Sequence, residues 1–282
     1  MITSLNERDM LMKDTFDFSD LNLEQNTLNL DIQFRGITKM GTEWSFQKVT
    51  SQFDRLYFII DAEAYLENEQ GSCVLRPGYM YLIPAYSCHN FVCTKSIHKY
   101  CIHFNIELIA GLDLLGLLYH SVQELPYSQE LLDQLLVVEK STSLKDIIHL
   151  RAMLWQVVYK FIAEVAYDTD YEGVVNGFMR QANVLQYVST HLNASLRIQD
   201  IASALNITAR QLSRTFQQDT GRSLKKHIEQ MLIQKACHLL RNTSLSICQI
   251  SNDLGFSDPY YFSRFFKKRM NMFPSLYRNK LF

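Results

Sequence analysis

The sequence predicts an α+β protein built from two unlike halves. Short aromatic and β-branched runs separated by turn formers occupy residues 28–107, apolar residues at helical spacing occupy 111–167, and the remainder contains one helix-turn-helix unit written twice. The expected architecture is an N-terminal β-barrel or sandwich (1–110), a helical connector (111–173) and a C-terminal all-α domain with two helix-turn-helix motifs (174–282).

In the β half, Arg55-Leu-Tyr-Phe-Ile-Ile60, Tyr79-Met-Tyr-Leu-Ile83 and Tyr100-Cys-Ile-His-Phe104 read as strands. Glu69-Gln-Gly71, Arg76-Pro-Gly78 and Pro84-Ala85 punctuate them. The pattern then changes to Leu112, Leu115 and Leu118, next to Leu131, Leu132, Leu135 and Leu136, and finally to Ile147, Leu150, Leu154, Val157, Val158 and Phe161. These are helical faces. The stripe Leu150, Leu154, Val157 and Phe161 offers more apolar surface than a short connector needs, so the connector is expected to support a homodimer. Polar Tyr167-Asp-Thr-Asp-Tyr-Glu-Gly173 marks the boundary before the last domain.

In the C-terminal half, Ile201-Ala-x-x-Leu205 matches Ile250-Ser-x-x-Leu254, and Leu212-Ser-Arg-x-Phe216 matches Phe262-Ser-Arg-x-Phe266. The first unit buries Ile198, Ile201, Ala202 and Leu205, turns at Asn206-Ile207, and reopens at a Thr208-x-x-Gln211 capping box. A second capping box, Ser246-x-x-Gln249, opens the next unit; Gly255 supplies its turn and Ser257-Asp-Pro259 starts its second helix. Between the units, Ile228, Leu232, Ala236, Leu239 and Leu240 predict one rigid helix over Lys225–Arg241. Arg210, Ser213 and Arg214 cannot share the face that buries Leu212 and Phe216, so they point outward; Tyr260, Ser263, Arg264 and Lys267 do so in the second unit. Arginine can bridge guanine O6 and N7, serine bonds base edges or phosphate, and a lysine answers phosphate as a point charge.

Charge agrees with this division. From Arg180 onward there are 15 Lys and Arg against 5 acids, leaving 13 basic and 24 acidic residues in the remainder. One end suits a polyanion and the other does not. With 47% hydrophobic and 20% charged residues the chain reads as soluble and globular. Acidic Asp14, Asp17 and Asp20 interrupt the start, so no targeting leader is expected. No run approaches the roughly eighteen apolar residues of a membrane span, so a cytoplasmic location is expected. The 6 cysteines form no CxxC pair, which argues against a zinc or dithiol site.

The residues Ile201-Ala202, Leu212-Ser213-Arg214, Phe216, Thr220-Gly221-Arg-Ser223, Gly255-Phe256-Ser257-Asp258, Tyr261-Phe262-Ser263-Arg264-x-Phe266-Lys267-Lys268 and Pro274-Ser275-x-Tyr277-Arg278 resemble the DNA-binding domain of AraC/XylS transcription regulators. The resemblance implies base reading by Arg210, Ser213 and Arg214, then Pro259, Tyr260, Ser263 and Arg264, with Lys267 and Lys268 on phosphate. It also implies double-stranded DNA, RNA polymerase and a small-molecule effector as partners.

Arg55-Leu-Tyr57, Leu75-Arg-Pro-Gly78-Tyr-Met-Tyr-Leu-Ile-Pro84 and His89 resemble the cupin-like barrel that many such regulators carry, in which an effector lodges. Trp44, Tyr57, Tyr81 and His89 are the ligand candidates, and Phe46, Tyr65 and Phe91 would extend an apolar pocket suited to a sugar, aromatic or fatty molecule. His89, His98 and His103 lack the HxH pair with a following Glu that a catalytic cupin needs, so no metal, cofactor or catalytic residue is expected. The reading is a ligand-responsive activator; a cupin-type metalloenzyme fused to a DNA anchor and a ligand-independent DNA-binding protein are the alternatives.

Overall fold

A computed structural model of the protein describes residues 28–109, 111–167, 171–270 and 272–279. Asp14, Asp17 and Asp20 lie outside the described residues.

The N-terminal half is one antiparallel sheet: β1 (Asn29–Met40), β2 (Phe46–Thr50), β3 (Asp54–Asn68), β4 (Gly71–Val74), β5 (Tyr79–Ile83), β6 (Cys88–Ile109), β7 (Leu112–Asp113) and β8 (Gln123–Pro126). Pairing among the described residues runs β1-β6-β3-β5-β8, with β2 and β7 on β6 and β4 on β3. Among the described residues the hydrogen-bonded path does not close; one face of it holds a core made by the strands and the short turn before β2, with Trp44, Tyr57, Leu66, Tyr81 and Phe91, and the other face packs on helices. The long β3–β6 ladder sets those faces. Its register places Arg55 opposite His103, Tyr57 opposite Cys101 and Ile59 opposite Lys99. Side chains alternate along a strand, so these six share one face, while Leu56, Phe58, Tyr100, Ile102 and Phe104 take the other.

That second face is covered by helices α1 (Leu114–Leu118), α2 (Gln129–Val138) and α3 (Leu144–Glu164). Leu150, Leu154, Val157 and Phe161 are buried there with Leu56, Phe58 and Tyr100. This corrects the expectation for the connector: the stripe read as a dimer surface packs on its own sheet, because the apolar face of β3 and β6 needs a cover that periodicity cannot identify.

Next come α4 (Tyr171–Arg180), α5 (Ala182–Thr190), α6 (Ile198–Ala204), α7 (Ala209–Thr220), α8 (Leu224–Asn242), α9 (Ile247–Asp253), α10 (Pro259–Met270) and α11 (Pro274–Asn279). They share a core with Leu108, Leu112 and Leu117 of the N-terminal half. Helix α8 docks on the sheet through Gln230 Nε2, which donates to the Gly111 carbonyl at 2.9 Å, and Gln234 Nε2, which donates to the Tyr86 hydroxyl at 3.0 Å. Arg241 adds a hydrogen bond to Gln33. Gly111 permits the close approach: it has φ +76°, and a Cβ there would meet His227 at 2.7 Å and Met231 at 2.8 Å.

Beside this junction lies a pair of buried acids, Asp54 and Asp113. Asp113 caps α1 by accepting from Gly116 N at 2.8 Å and also accepts from Ile106 N at 3.0 Å; Asp54 accepts from Ala85 N at 2.7 Å. Burial raises both carboxyls above the ordinary aspartate range, and Asp54 is raised further by the charge of Asp113. Among the described residues no helix is long and apolar enough to cross a membrane.

Candidate nucleic-acid interface and the cavity beside it

The two helix-turn-helix units are α6–α7 and α9–α10, and their local geometry repeats as their sequence does. Gln211 N donates to Thr208 Oγ1 at 3.2 Å, and Gln249 N donates to Ser246 Oγ at 3.2 Å. In each box the glutamine side chain accepts from the cap's own N–H, at 3.2 Å and 2.8 Å. The turns close alike: Ile207 N donates to Ala202 O and Phe256 N to Ser251 O, both at 3.0 Å. Asn206 stands at φ +55° and Gly255 at φ +74°, the left-handed step that redirects the chain. Asp258 caps α10, accepting from Tyr261 N at 2.8 Å.

Leu212 and Phe216 in α7, and Phe262 and Phe266 in α10, are fully buried. Their pinning turns the opposite faces outward: Arg210 and Arg214 on α7, Tyr260, Arg264, Lys267 and Lys268 on α10 are exposed. Tyr260 is 82% exposed, an unusual position for so large a ring. Arg210, Arg214 and Arg264 take part in no ion pair among the described residues. Ser213, Ser263 and Pro259 are half-buried; Ser263 Oγ donates to the Pro259 carbonyl at 2.8 Å, which leaves its lone pairs to accept. Lys267 differs from its neighbours, its ammonium sitting 4.3 Å from the centroid of the Phe273 ring.

Helix α8 joins the units as a single element of 19 residues, roughly 28 Å long at the α-helical rise. The separation of α7 and α10 is therefore set by a helix, itself fastened to the sheet.

A cavity of about 710 Å³ lies between the sheet and the end of the second unit. Trp44, Arg55, Tyr57, Lys99 and His103 line it from the sheet, and Lys267, Met270, Phe273 and Tyr277 from α10, α11 and the turn between them. Of the sequence candidates, Trp44 and Tyr57 are brought together here with Phe46 and Phe91. Tyr81, Tyr65 and His89 are not among the lining residues. Tyr81 is fully buried in the sheet core, where its hydroxyl donates to the Val74 carbonyl and accepts from Arg76 N, both at 2.9 Å. His89 is buried on β6 opposite Val49. The cavity is walled mostly by the first half and closed by the end of the second.

Sequence reading missed Arg55, Lys99 and His103 as a group. The available signal was alternation, since Arg55 and Tyr57 share a strand face, as do Lys99 and His103, so cations recur on a face that is otherwise apolar. Burial holds the Lys99 ammonium below the ordinary lysine range, aided by Arg55. Burial also keeps His103 well below the usual histidine value, reinforced by Arg55, Lys99 and Arg241.

A family model described as "Helix-turn-helix domain" matches residues 201–280, the span that holds both units. Residues 201–280 form an AraC-type helix-turn-helix domain. This AraC-type region is similar to the Msm operon regulatory protein of Streptococcus mutans serotype c, with 37% identity over 98 residues, 35% of each chain. It is also similar to the lactose operon transcription activator of Staphylococcus xylosus, with 30% identity over 130 residues, 45% of each chain. The chain thus matches about a third to under a half of these relatives' lengths. Solved structures extend the likeness beyond the AraC-type domain. ToxT of Vibrio cholerae aligns with a TM-score of 0.55 at 17% identity, covering 88% of this chain and 98% of that one. A second ToxT structure, holding an unsaturated fatty acid, aligns with a TM-score of 0.53 at 19% identity over 90% of this chain and 95% of that one. The two-domain fold is shared.

Proposed function

We propose that the chain is a sequence-specific DNA-binding transcription regulator, and not an enzyme, whose DNA affinity answers to a small molecule held between its halves. One observation carries this reading: α10 presents Tyr260 and Arg264 to solvent and also supplies Lys267 and Met270 to the cavity wall. A rigid helix that belongs to both surfaces couples them, since an occupant favouring one placement of α10 shifts DNA affinity by its own preference. The named functions of the relatives as operon regulators, and the fatty acid held by ToxT, support it. The remaining partners follow from that role: RNA polymerase at the promoter, in the cytoplasm, with the protein acting as an activator.

The site of one chain should span two adjacent major-groove segments about 10 base pairs apart, because α8 fixes the two readers along one face of the duplex. Their exposed residues differ, so the site should be asymmetric. Selection of random duplexes by the full-length protein tests this. Arg214→Ala is expected to cost about 1–3 kcal/mol and to relax preference at one base position, as loss of a bidentate guanine contact does. Lys268→Ala should weaken all sequences alike and flatten the salt dependence. Equal weakening of specific and nonspecific DNA by Arg214→Ala, with an unchanged preferred sequence, would reduce that residue to a backbone contact.

Self-association is proposed on a different surface from the stripe that the sequence suggests. Leu144, Ile148 and Tyr159 on the outer face of α3 are exposed, as is Val137 on α2. They recur at the spacing of one helix face, which a second copy would cover. Sedimentation velocity should show a dimer for the wild type and a monomer for Ile148→Glu. A wild-type monomer at high concentration rejects the dimer.

A further inference from the structure

Lys99 and His103 are each 3% exposed and Arg55 is 9% exposed, yet none of them forms an ion pair among the described residues. All three line the cavity, and no Asp or Glu lines it with them. Lys99 Nζ donates to Thr38 Oγ1 at 3.3 Å, and an ammonium carries three donors. His103 Nε2 is buried without a partner. Burying cations without a counter-charge is costly, so such groups are found paired or neutralised. What these cations do have is aromatic rings: Arg55 lies 4.9 Å from the Phe53 centroid and 5.4 Å from that of Phe91, and Lys99 lies 4.2 Å from that of Tyr57. Ring faces compensate part of a desolvated charge and leave the donors available.

We propose that this cavity binds a small organic anion, with its carboxylate or phosphate-ester oxygens between Arg55 and Lys99 and its apolar body against Trp44, Phe91, Met270 and Phe273. The proposal rests on the ligand-responsive reading above and names its ligand class. The cross-strand register puts Arg55 and Lys99 on one face, Arg55 opposite His103 and Lys99 opposite Ile59, with the Tyr57–Cys101 pair between them, so their long side chains flank the space over Tyr57. Arginine offers a planar fork to an oxyanion and lysine a point charge, and both act at full strength where water is excluded. A volume of about 710 Å³ suits a drug-sized molecule. A neutral sugar fits poorly, since it would leave the cations without counter-charge.

The test uses the purified full-length chain with octanoate, octyl phosphate, octan-1-ol and glucose, read by calorimetric titration and thermal shift. The anions are expected to bind at least tenfold more tightly than the alcohol, with no response to glucose. The preference between octanoate and octyl phosphate assigns the headgroup. Lys99→Met and Arg55→Met should each lower anion affinity at least tenfold and leave the alcohol unchanged. Without ligand, Lys99→Met should raise the Tm, because a buried ammonium gives way to an apolar chain of similar length; a mere structural brace would lower it. Equal binding of anion and alcohol, anion binding unchanged in both variants, or no binding of either anion would each overturn the seat. The DNA selection experiment needs no ligand, so failure here leaves the DNA-binding reading standing, and failure there leaves this result readable.

Discussion

Gly177→Ala is expected to destabilise the protein by about 3 kcal/mol, the upper end of overpacking penalties. Gly177 lies in α4 against the end of the first recognition helix, where an added Cβ would stand 1.7 Å from the Asp219 carbonyl oxygen and 2.7 Å from its carbon. Both neighbours are backbone, so no side-chain rotation relieves the clash. The Asp219 carboxylate holds the helices together at this point, accepting from Arg180 Nε at 2.9 Å and from Gln181. Moving α4 outward also uncovers Phe178, which is fully buried against Phe216 and His227. Helix propensity alone predicts the opposite sign, since alanine in a helix interior is favoured over glycine by about 1 kcal/mol. Urea unfolding decides between them: a lowered midpoint with an unchanged slope supports the steric account, and a raised midpoint rejects it. Asn176→Ala, exposed on the same helix, should stay within about 0.5 kcal/mol of wild type.

Phe266→Ala should cost about 3–5 kcal/mol, as truncation of a buried phenylalanine does. The ring is fully buried in α10, with the Tyr277 ring 5.4 Å away and the Phe262 ring 6.0 Å away. It is the anchor that keeps Tyr260 and Arg264 outward, so specific DNA binding should fall with stability while salt-dependent nonspecific binding persists. Phe216, its counterpart in the first unit, is buried to the same degree, and Phe216→Ala should carry a similar cost. Denaturant unfolding of both variants, followed by binding to specific and random duplexes, checks this. A loss below about 1 kcal/mol in either would mean that its unit collapses to fill the space.

Much of the C-terminal half is legible because its determinants are local. Capping boxes at Thr208 and Ser246, the turns at Asn206 and Gly255, and the single helix between the units depend on residues within a few positions of one another. The apolar period then fixes which side of α7 and α10 faces out, so Arg210, Arg214, Tyr260 and Arg264 can be placed outside before any fold is known.

The sequence by itself therefore determined the two helix-turn-helix units, their outward residues and the strand-rich character of the first half. Only the tertiary structure decided what each apolar face covers and where the cavity lies. Leu150, Leu154, Val157 and Phe161 form a face that suits a partner chain or the protein's own sheet equally well, and the sheet takes it. Tyr81 stands opposite the cavity residue Tyr57 on the same sheet face, but it is fully buried deeper in that core, its hydroxyl engaged by Val74 and Arg76. Arg55, Lys99 and Lys267 meet across a gap between halves far apart in sequence. Periodicity records the neighbours of a residue along its own element, whereas a site between elements is fixed by strand register and helix docking, which depend on packing across the whole chain.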